Sequence, residues 1–524
     1  MRKIVSFTAS LLALLLLAAG AAAAPAPNAS SSSERARVFV GFDRAPTAAD
    51  RAAIERSGGA VRADFSELGA LAVEIDAGAV GQLARLGGVS YVEPDELRYA
   101  LGLATAQLAP SMSNGLYGLI TTRSVNAHDR GVTGTGINAC VADTGLDYNH
   151  PDIAPNYKGG IDTISNDNDP FWNNDPNETH GTHVAGTVVA AYNTVGVYGV
   201  AYSANLYYAR VLGPTGGTAS TVMAGVRWLV ETAKCKVVNL SLGGGRKSRT
   251  EENFYKEMRN KGALVVAATG NDGSARAISY PAKYAVNIAV GAVDRNNIRA
   301  SFSNGGREID VVAPGVTVLS SVPANTGSEA SVTTTSTVTA YGMEFAGQTA
   351  GTTGTLVNCG RGLAGECPAA VAGNIALIQR GDISFADKVT NAMNAGATAA
   401  VIYNNVAGDF IGTLGSATTS DGRPWIPAVT VSDTAGATLL SQVGTSATVV
   451  NEISSWDHYD GTSMATPHVT GVVALIWSVN PAMSNTTVES HLFNTCTDLG
   501  AAGFDTLYGR GIVNADAAVA AAGG

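Results

Sequence analysis

From residue 117 onward, short apolar runs and longer amphipathic stretches take turns along the chain. The apolar runs at 137–142, 205–211, 236–240, 263–268 and 286–293 are short and rich in Val, Ile, Leu and Ala, which predicts buried strands. The stretches at 182–191, 218–232 and 252–261 lie between them and predict helices. Alternation of this kind predicts an α/β domain, with a parallel sheet covered by helices on both faces. In such sheets the chemistry sits at the carboxyl ends of the strands.

The N-terminal pattern is different. Strands are predicted at 37–42, 70–75 and 89–93, and helices at 47–57 and 78–86. This βαβαβ order suits a small ferredoxin-like α+β unit over residues 35–98. A second break follows Val322, where a Thr/Ser/Val-rich stretch begins; helix–strand alternation returns only near Ile375. The main pattern resumes at Ser455, so residues 323–454 read as an inserted domain. The α/β domain then comprises 115–322 and 455–524. The Ala/Ser/Gln/Gly stretch at 99–114 reads as an exposed linker, open to proteolysis.

The chain has 524 residues, a net charge of −10 and 15% charged residues, which suits a compact multidomain protein. It has no basic run, which argues against a nucleic-acid partner. Arg2 and Lys3 precede an apolar run at 11–17 and the small residues 18–24, the layout of a cleavable export leader over 1–24. A low-complexity linker follows over 25–34. No later stretch is apolar and long enough to span a bilayer. Five cysteines in an exported chain allow two disulfides and one thiol. Cys359 and Cys367 are close in sequence across a glycine-rich loop and are expected to pair. Cys140 and Cys235 can join if their strands are neighbours, leaving Cys496 free.

Three motifs carry the chemistry. In the segment from Gly461 to His468, Ser463 lies between a glycine turn and the apolar run 469–477, which reads as a buried helix. Its hydroxyl would sit where free N–H groups and the helix dipole favour negative charge. Asp143 ends the strand at 137–142, with Asp147 as a rival acid. His180 starts a helix, with His183 as a rival base. The H-x-x-H pair could suggest zinc, but the H-E-x-x-H pattern spaces its ligands at i, i+4 and requires a glutamate where Gly181 stands. A serine hydroxyl needs an imidazole to take its proton, and an acid to orient that imidazole.

Asp143, His180 and Ser463, in that order, resemble the subtilisin (subtilase) serine peptidases over 117–322 and 455–515. The resemblance implies a seven-stranded parallel sheet and a serine endopeptidase acting through an acyl-enzyme. It makes Asn271 and the Ser463 N–H the oxyanion donors. Ser241, Leu242 and Gly243 become a substrate-binding strand, with Gly213 and Gly216 on the opposite wall. Ala268, Gly270 and Ser279 would line the pocket before the scissile bond, giving broad specificity with an apolar or aromatic preference. Tyr280–Pro281 fits a cis-proline turn. The loop at 191–197 resembles a structural calcium site, with oxygens from Ala191, Asn193, Val195 and Val197 and the carboxylate of Asp152. The acidic loop at 162–177 reads as solvated. Residues 35–98 resemble the family's inhibitory propeptide, down to V-x-Y-V-E-P at 89–94. Residues 374–382, 384–389 and 394–404 resemble the protease-associated (PA) domain, although Ile383 stands where that family often has a cysteine. The expected protein is a secreted, monomeric peptidase of proteins and peptides, inhibited by its own propeptide until cut within 99–114. Two rivals are a binding protein that lost catalysis and a metallohydrolase built on His180 and His183.

Overall fold

The computed structural model describes residues 34–101, 103–104 and 116–524. The expected leader at 1–24 and most of both expected linkers lie outside these residues.

The N-terminal unit is a four-stranded antiparallel sheet carrying two helices. Its spatial order is Ala60–Phe65, Ala70–Asp76, Arg35–Phe42, Val89–Pro94. The observed order is therefore βαββαβ, with one strand more than the sequence reading gave. Ala60–Phe65 contains Ala, Arg and Asp, which are poor strand formers, and pairing with Ala70–Asp76 overrides that preference. The second helix is only Val80–Leu83, after a 3₁₀ turn at Ala77–Ala79. Val38, Val40, Ile54, Leu71, Val73 and Leu83 form its apolar core.

The central sheet has seven strands, all parallel to their neighbours. From one edge the order is Val311–Pro314, Ile288–Val293, Leu264–Ala268, Val237–Leu240, Asn138–Asp143, Asn205–Arg210 and Tyr157–Asp162. Helices His180–Val189 and Thr462–Val479 pack on one face. Helices Ala219–Glu231 and Arg249–Asn260 cover the other. After Asn138–Asp143 the chain lays down Tyr157–Asp162 and then Asn205–Arg210 on one side, and afterwards Val237–Leu240 on the other. Asp143 thus ends the strand at which the order reverses, the place where α/β sheets open a crevice. The edge strand Tyr157–Asp162 was missed because Gly159 and Gly160 interrupt its apolar pattern. Cys140 is bonded to Cys235 and Cys359 to Cys367, while Cys496 is a thiol.

The insert leaves and re-enters through two antiparallel strands, Val318–Ser321 and Trp456–Asp460. Beyond them, Gly327–Thr333 pairs with Ser446–Ser454 in an eight-stranded mixed sheet. One apolar cluster lies around Ile378, Val389 and Ile402, and another around Leu377, Val401 and Val449. Leu377 and Ile378, and Val401 and Ile402, are adjacent residues of the same strands, so their side chains point to opposite faces and the sheet is covered on both. Arg295 of the central domain is paired with Asp409 of the insert at 2.7 Å.

Candidate active site

Asp143 closes its strand with Oδ1 2.7 Å from His180 Nδ1, and the Thr144 N–H donates to the same oxygen at 2.7 Å. Both side chains are buried. The histidine helix is held by its first turn: Gly181 N–H donates to Thr144 Oγ1 at 2.9 Å. A Cβ at 181 would lie 1.9 Å from the Tyr208 hydroxyl, so no other residue fits there. His180 Nε2 is buried without a hydrogen-bond partner.

Ser463 is the second residue of helix Thr462–Val479. Pro467 lacks the N–H that would bond the Ser463 carbonyl, and the Ser241 hydroxyl donates to that carbonyl instead, at 2.7 Å. Ser463 Oγ in turn donates to the Ser241 carbonyl at 2.8 Å. The structure therefore joins Asp143 to His180, while the Ser463 hydroxyl is turned to Ser241 rather than to the imidazole.

A segment of the chain itself fills the groove beside Ser463. Leu97–Ala100 is the central strand of a three-stranded antiparallel sheet. Gly217–Thr218 pairs on one side and Leu242–Gly243 on the other. Leu101 N–H donates to the Ser241 carbonyl at 3.2 Å. Its carbonyl accepts from Asn271 Nδ2 at 2.6 Å and from the Ser463 N–H at 3.3 Å. Asn271 Oδ1 accepts from the N–H and hydroxyl of Thr462, both at 2.9 Å, which fixes the amide so that its NH₂ faces Leu101. Leu103–Ala104 pairs with Tyr459–Asp460. Residues 97–101, part of which reads as linker in the sequence, are thus laid in extended form across the motifs.

The walls are close and bare. A Cβ on Gly216 would lie 2.6 Å from the Arg98 carbonyl, and one on Gly243 2.7 Å from Leu101 Cδ1. Gly213 and Gly216 bond each other's backbone at 2.9 and 3.1 Å. Gly270, at φ +108°, leaves room for the side chains of Ser279 and Asn304. Ala268 is buried at its strand end, and Tyr280–Pro281 is cis. Asn304 escaped the sequence reading. Its Oδ1 accepts from the N–H groups of Asp272 and Ser274, at 3.1 and 2.9 Å, and so shapes the Asn271 loop. No motif marks it.

Two acids of the N-terminal unit cap helices of the central domain. Glu93 accepts from the Ser248 hydroxyl, the Arg249 and Thr250 N–H groups and the Thr250 hydroxyl, at 2.7–3.1 Å. Asp95 accepts from the N–H and hydroxyl of Ser220, at 2.9 and 2.6 Å. Each carboxylate meets the unpaired N–H groups at a helix start.

The rival residues are occupied elsewhere. His183 Nε2 is 2.8 Å from the Val318 carbonyl, and burial holds its pKa down, to about 3. His468 Nδ1 faces the Met464 carbonyl at 2.8 Å, and burial lowers it to about 4. Asp147 Oδ2 accepts from the Ala324 N–H at 3.0 Å. Asp162, in the acidic loop, is paired with Arg210 at 2.5 Å, and Arg210 also binds buried Glu178. Among the described residues no cluster of three or more His, Cys, Asp or Glu could hold a metal.

A site of carbonyls and one carboxylate is a different case, and the loop at 191–197 has that chemistry. Asp152 Oδ2 accepts from Val197 N–H, Ser321 hydroxyl and Trp456 indole, at 3.2, 3.0 and 2.6 Å. Its Oδ1 is buried with no partner. Asn193 Oδ1 accepts from the Val195 N–H at 3.0 Å, and the Ala191 N–H donates to the Asp152 carbonyl at 2.8 Å. An orphaned carboxylate oxygen beside an all-oxygen loop fits a hard cation.

A carboxylate-held imidazole, a serine at a helix start and an amide donor aimed at a peptide carbonyl define a serine endopeptidase. Comparison with known proteins agrees. The Subtilase family model matches residues 134–355 and 417–511, the PA domain model 352–439, and a peptidase inhibitor domain model 15–95. Subtilisin E of Bacillus subtilis is 38% identical over 298 residues, covering 55% of this chain and 74% of its own length. An alkaline protease of Shouchella clausii is 31% identical over 456 residues, covering 87% of this chain and 80% of its own. The crystal structure of a psychrophilic subtilisin-like protease from an Antarctic Pseudoalteromonas superposes with a TM-score of 0.66 at 32% identity. It covers 77% of this chain and 97% of its own. The chain belongs to the subtilase family and is a serine endopeptidase with an inhibitor-like N-terminal domain and a PA domain.

Proposed function

We propose that the protein is an exported peptidase that works through an acyl-enzyme and matures by cutting its own Leu101–Gly102 bond. The observation that carries this reading is the Leu101 carbonyl between Asn271 Nδ2 and the Ser463 N–H. Those donors lie where negative charge develops when a hydroxyl adds to the carbonyl. A turn about χ1 frees Ser463 Oγ from the Ser241 carbonyl and brings it toward His180. His180 Nε2 takes the proton as Oγ bonds to the Leu101 carbon, and Asp143 stabilises the imidazolium. The intermediate then collapses: the Leu101–Gly102 bond breaks, His180 protonates the departing amine, and Leu101 remains as an ester on Ser463. Water, deprotonated by His180, adds to the ester carbon; the C–Oγ bond then breaks, His180 returns the proton to Ser463 Oγ, and the Leu101 carboxylate leaves.

The same groove then receives other chains, paired as a strand with Leu242–Gly243 and Gly217–Thr218. Leucine against the bare backbone of Gly243 supports an apolar preference before the cut, within otherwise sequence-tolerant backbone pairing. The docked N-terminal unit acts as the inhibitor until it is released. Export rests on the leader pattern at 1–24; no helix among the described residues is long and apolar enough to cross a membrane. The matured enzyme acts as a monomer on proteins and peptides. Asp152, Asn193 and the carbonyls of Ala191, Val195 and Val197 would hold a calcium ion, which would stiffen the loop behind the histidine helix.

The test is the N-terminus of the matured chain. Wild type is expected to begin at Gly102, and Ser463→Ala to stay full length after leader removal. A first cut at another bond, or normal cutting of Ser463→Ala, would refute the reading.

A further inference from the structure

The groove-bound strand carries a side chain that backbone pairing does not require. Counting back from Leu101, the fourth residue before the bond to Gly102 is Arg98. Its neighbours Leu97 and Tyr99 are 50% and 46% exposed, whereas Arg98 is 0% exposed. The strand's alternation turns Arg98 into the central domain. There its Nε and Nη2 meet Glu251 Oε1 and Oε2 at 3.3 and 2.5 Å, a two-pronged contact with a carboxylate that is itself fully buried. Glu251 lies in the first turn of helix Arg249–Asn260, where the dipole favours a negative charge. The Tyr284 hydroxyl stands 2.8 Å from Glu251 Oε2, holding it in place. Gly245 completes the cradle, since a Cβ there would lie 2.4 Å from Arg98 Nη1. Burial works against the Arg98 charge, and Glu251 more than offsets it, leaving the guanidinium pKa raised.

Glu251 belongs to the peptidase domain, so it remains when the N-terminal segment leaves. The vacated pocket then ends in a carboxylate that has lost its counter-charge. A substrate that places an apolar residue there leaves that charge buried and unpaired, a heavy penalty; an arginine restores the pair. Lysine returns the charge but not the fork, because a point ammonium cannot match both oxygens in that geometry.

We infer that Glu251 makes the enzyme select arginine at the fourth residue before the scissile bond, with Tyr284 and Gly245 shaping the pocket. This rests on the reading that Leu101–Gly102 occupies the catalytic register. The selection adds to the apolar preference at the residue before the cut, so the favoured substrates are chains with arginine three residues ahead of a leucine.

The experiment uses the matured enzyme and internally quenched peptides containing Leu-Arg-Tyr-Ala-Leu-Gly-Leu-Ala, with the arginine replaced by leucine, glutamine, lysine or glutamate. The cut position is read by mass. Replacement by leucine or glutamine is expected to lower kcat/KM about 100-fold, lysine about 10-fold, and glutamate more than either neutral residue. Cutting at Leu-Gly with rates within threefold across the set would overturn the inference while leaving the register intact. Cutting of the arginine peptide at another bond would overturn the register and the inference together. In Glu251→Leu enzyme the order is expected to invert, leucine exceeding arginine; an unchanged arginine preference in that folded variant would overturn the assignment to Glu251. The wild-type series decides the selectivity even if the variant does not fold.

Discussion

Replacing Glu93 by alanine is expected to weaken the grip of the N-terminal unit on the enzyme about 60-fold. The figure follows from what the carboxylate touches. It accepts two N–H groups at the start of helix Arg249–Asn260 and two hydroxyls, at 2.7–3.1 Å. A helix cap contributes about 1 kcal/mol, and the charge at the dipole's positive end about 0.5 kcal/mol. The two hydroxyl bonds add roughly 1 kcal/mol together, since water replaces them in the separated state. The sum is about 2.5 kcal/mol, which is about 60-fold in an equilibrium constant. The helix itself survives the change, because the Ser248 hydroxyl still accepts from the Glu251 N–H at 3.1 Å. The assay is the inhibition constant of the fragment 34–101 against matured enzyme, for wild type and Glu93→Ala. A cycle with Thr250→Val on the enzyme isolates the contact, and the two changes are expected to be less than additive. Inhibition constants within threefold of each other would show that the cap does not hold the complex, whatever its geometry.

Further outcomes follow from the site. Asn271→Ala is expected to slow cutting at Leu101–Gly102 by about 10²–10³ and Ser463→Ala by about 10⁶, the sizes established for these groups in subtilisins; time courses of the purified precursor measure both. Chelation with EDTA is expected to lower the Tm of matured enzyme by about 3–5 °C, the effect of losing an ion present at about 100 times its Kd. Asp152→Ala should start low and respond to neither EDTA nor calcium; an EDTA-insensitive wild type would remove calcium from the account. Burial raises the Asp460 pKa to about 6, although the Thr317 N–H bond opposes it. The unfolded chain gives up this proton near the ordinary carboxylate value, before the folded one does. The Asp460 contribution therefore lowers stability as pH rises from about 4 to about 6, then levels off. In a Ser463→Ala background, Asp460→Asn is expected to lose that part of the Tm–pH slope; superimposable profiles would contradict the assignment.

The sequence by itself determined the strand–helix alternation, the break in that pattern after Val322 and the three motifs, because each is written in neighbouring residues. A buried parallel strand needs a continuous apolar run, and a nucleophile at a helix start needs a glycine turn before an apolar stretch. The walls of the groove were expected only from the family resemblance that those motifs carry. Weakly patterned elements escaped: Ala60–Phe65 and Tyr157–Asp162 become strands only because a partner offers its hydrogen bonds. What the tertiary structure alone decided is register. Which residue of the linker meets Asn271, and which side chain four places back turns inward, depend on contacts between distant parts of the chain; Arg98 and Glu251 are 153 positions apart. A lone glutamate in an amphipathic helix reads as a solvated charge. Only the closed fold buries it, and a buried carboxylate must find its cation.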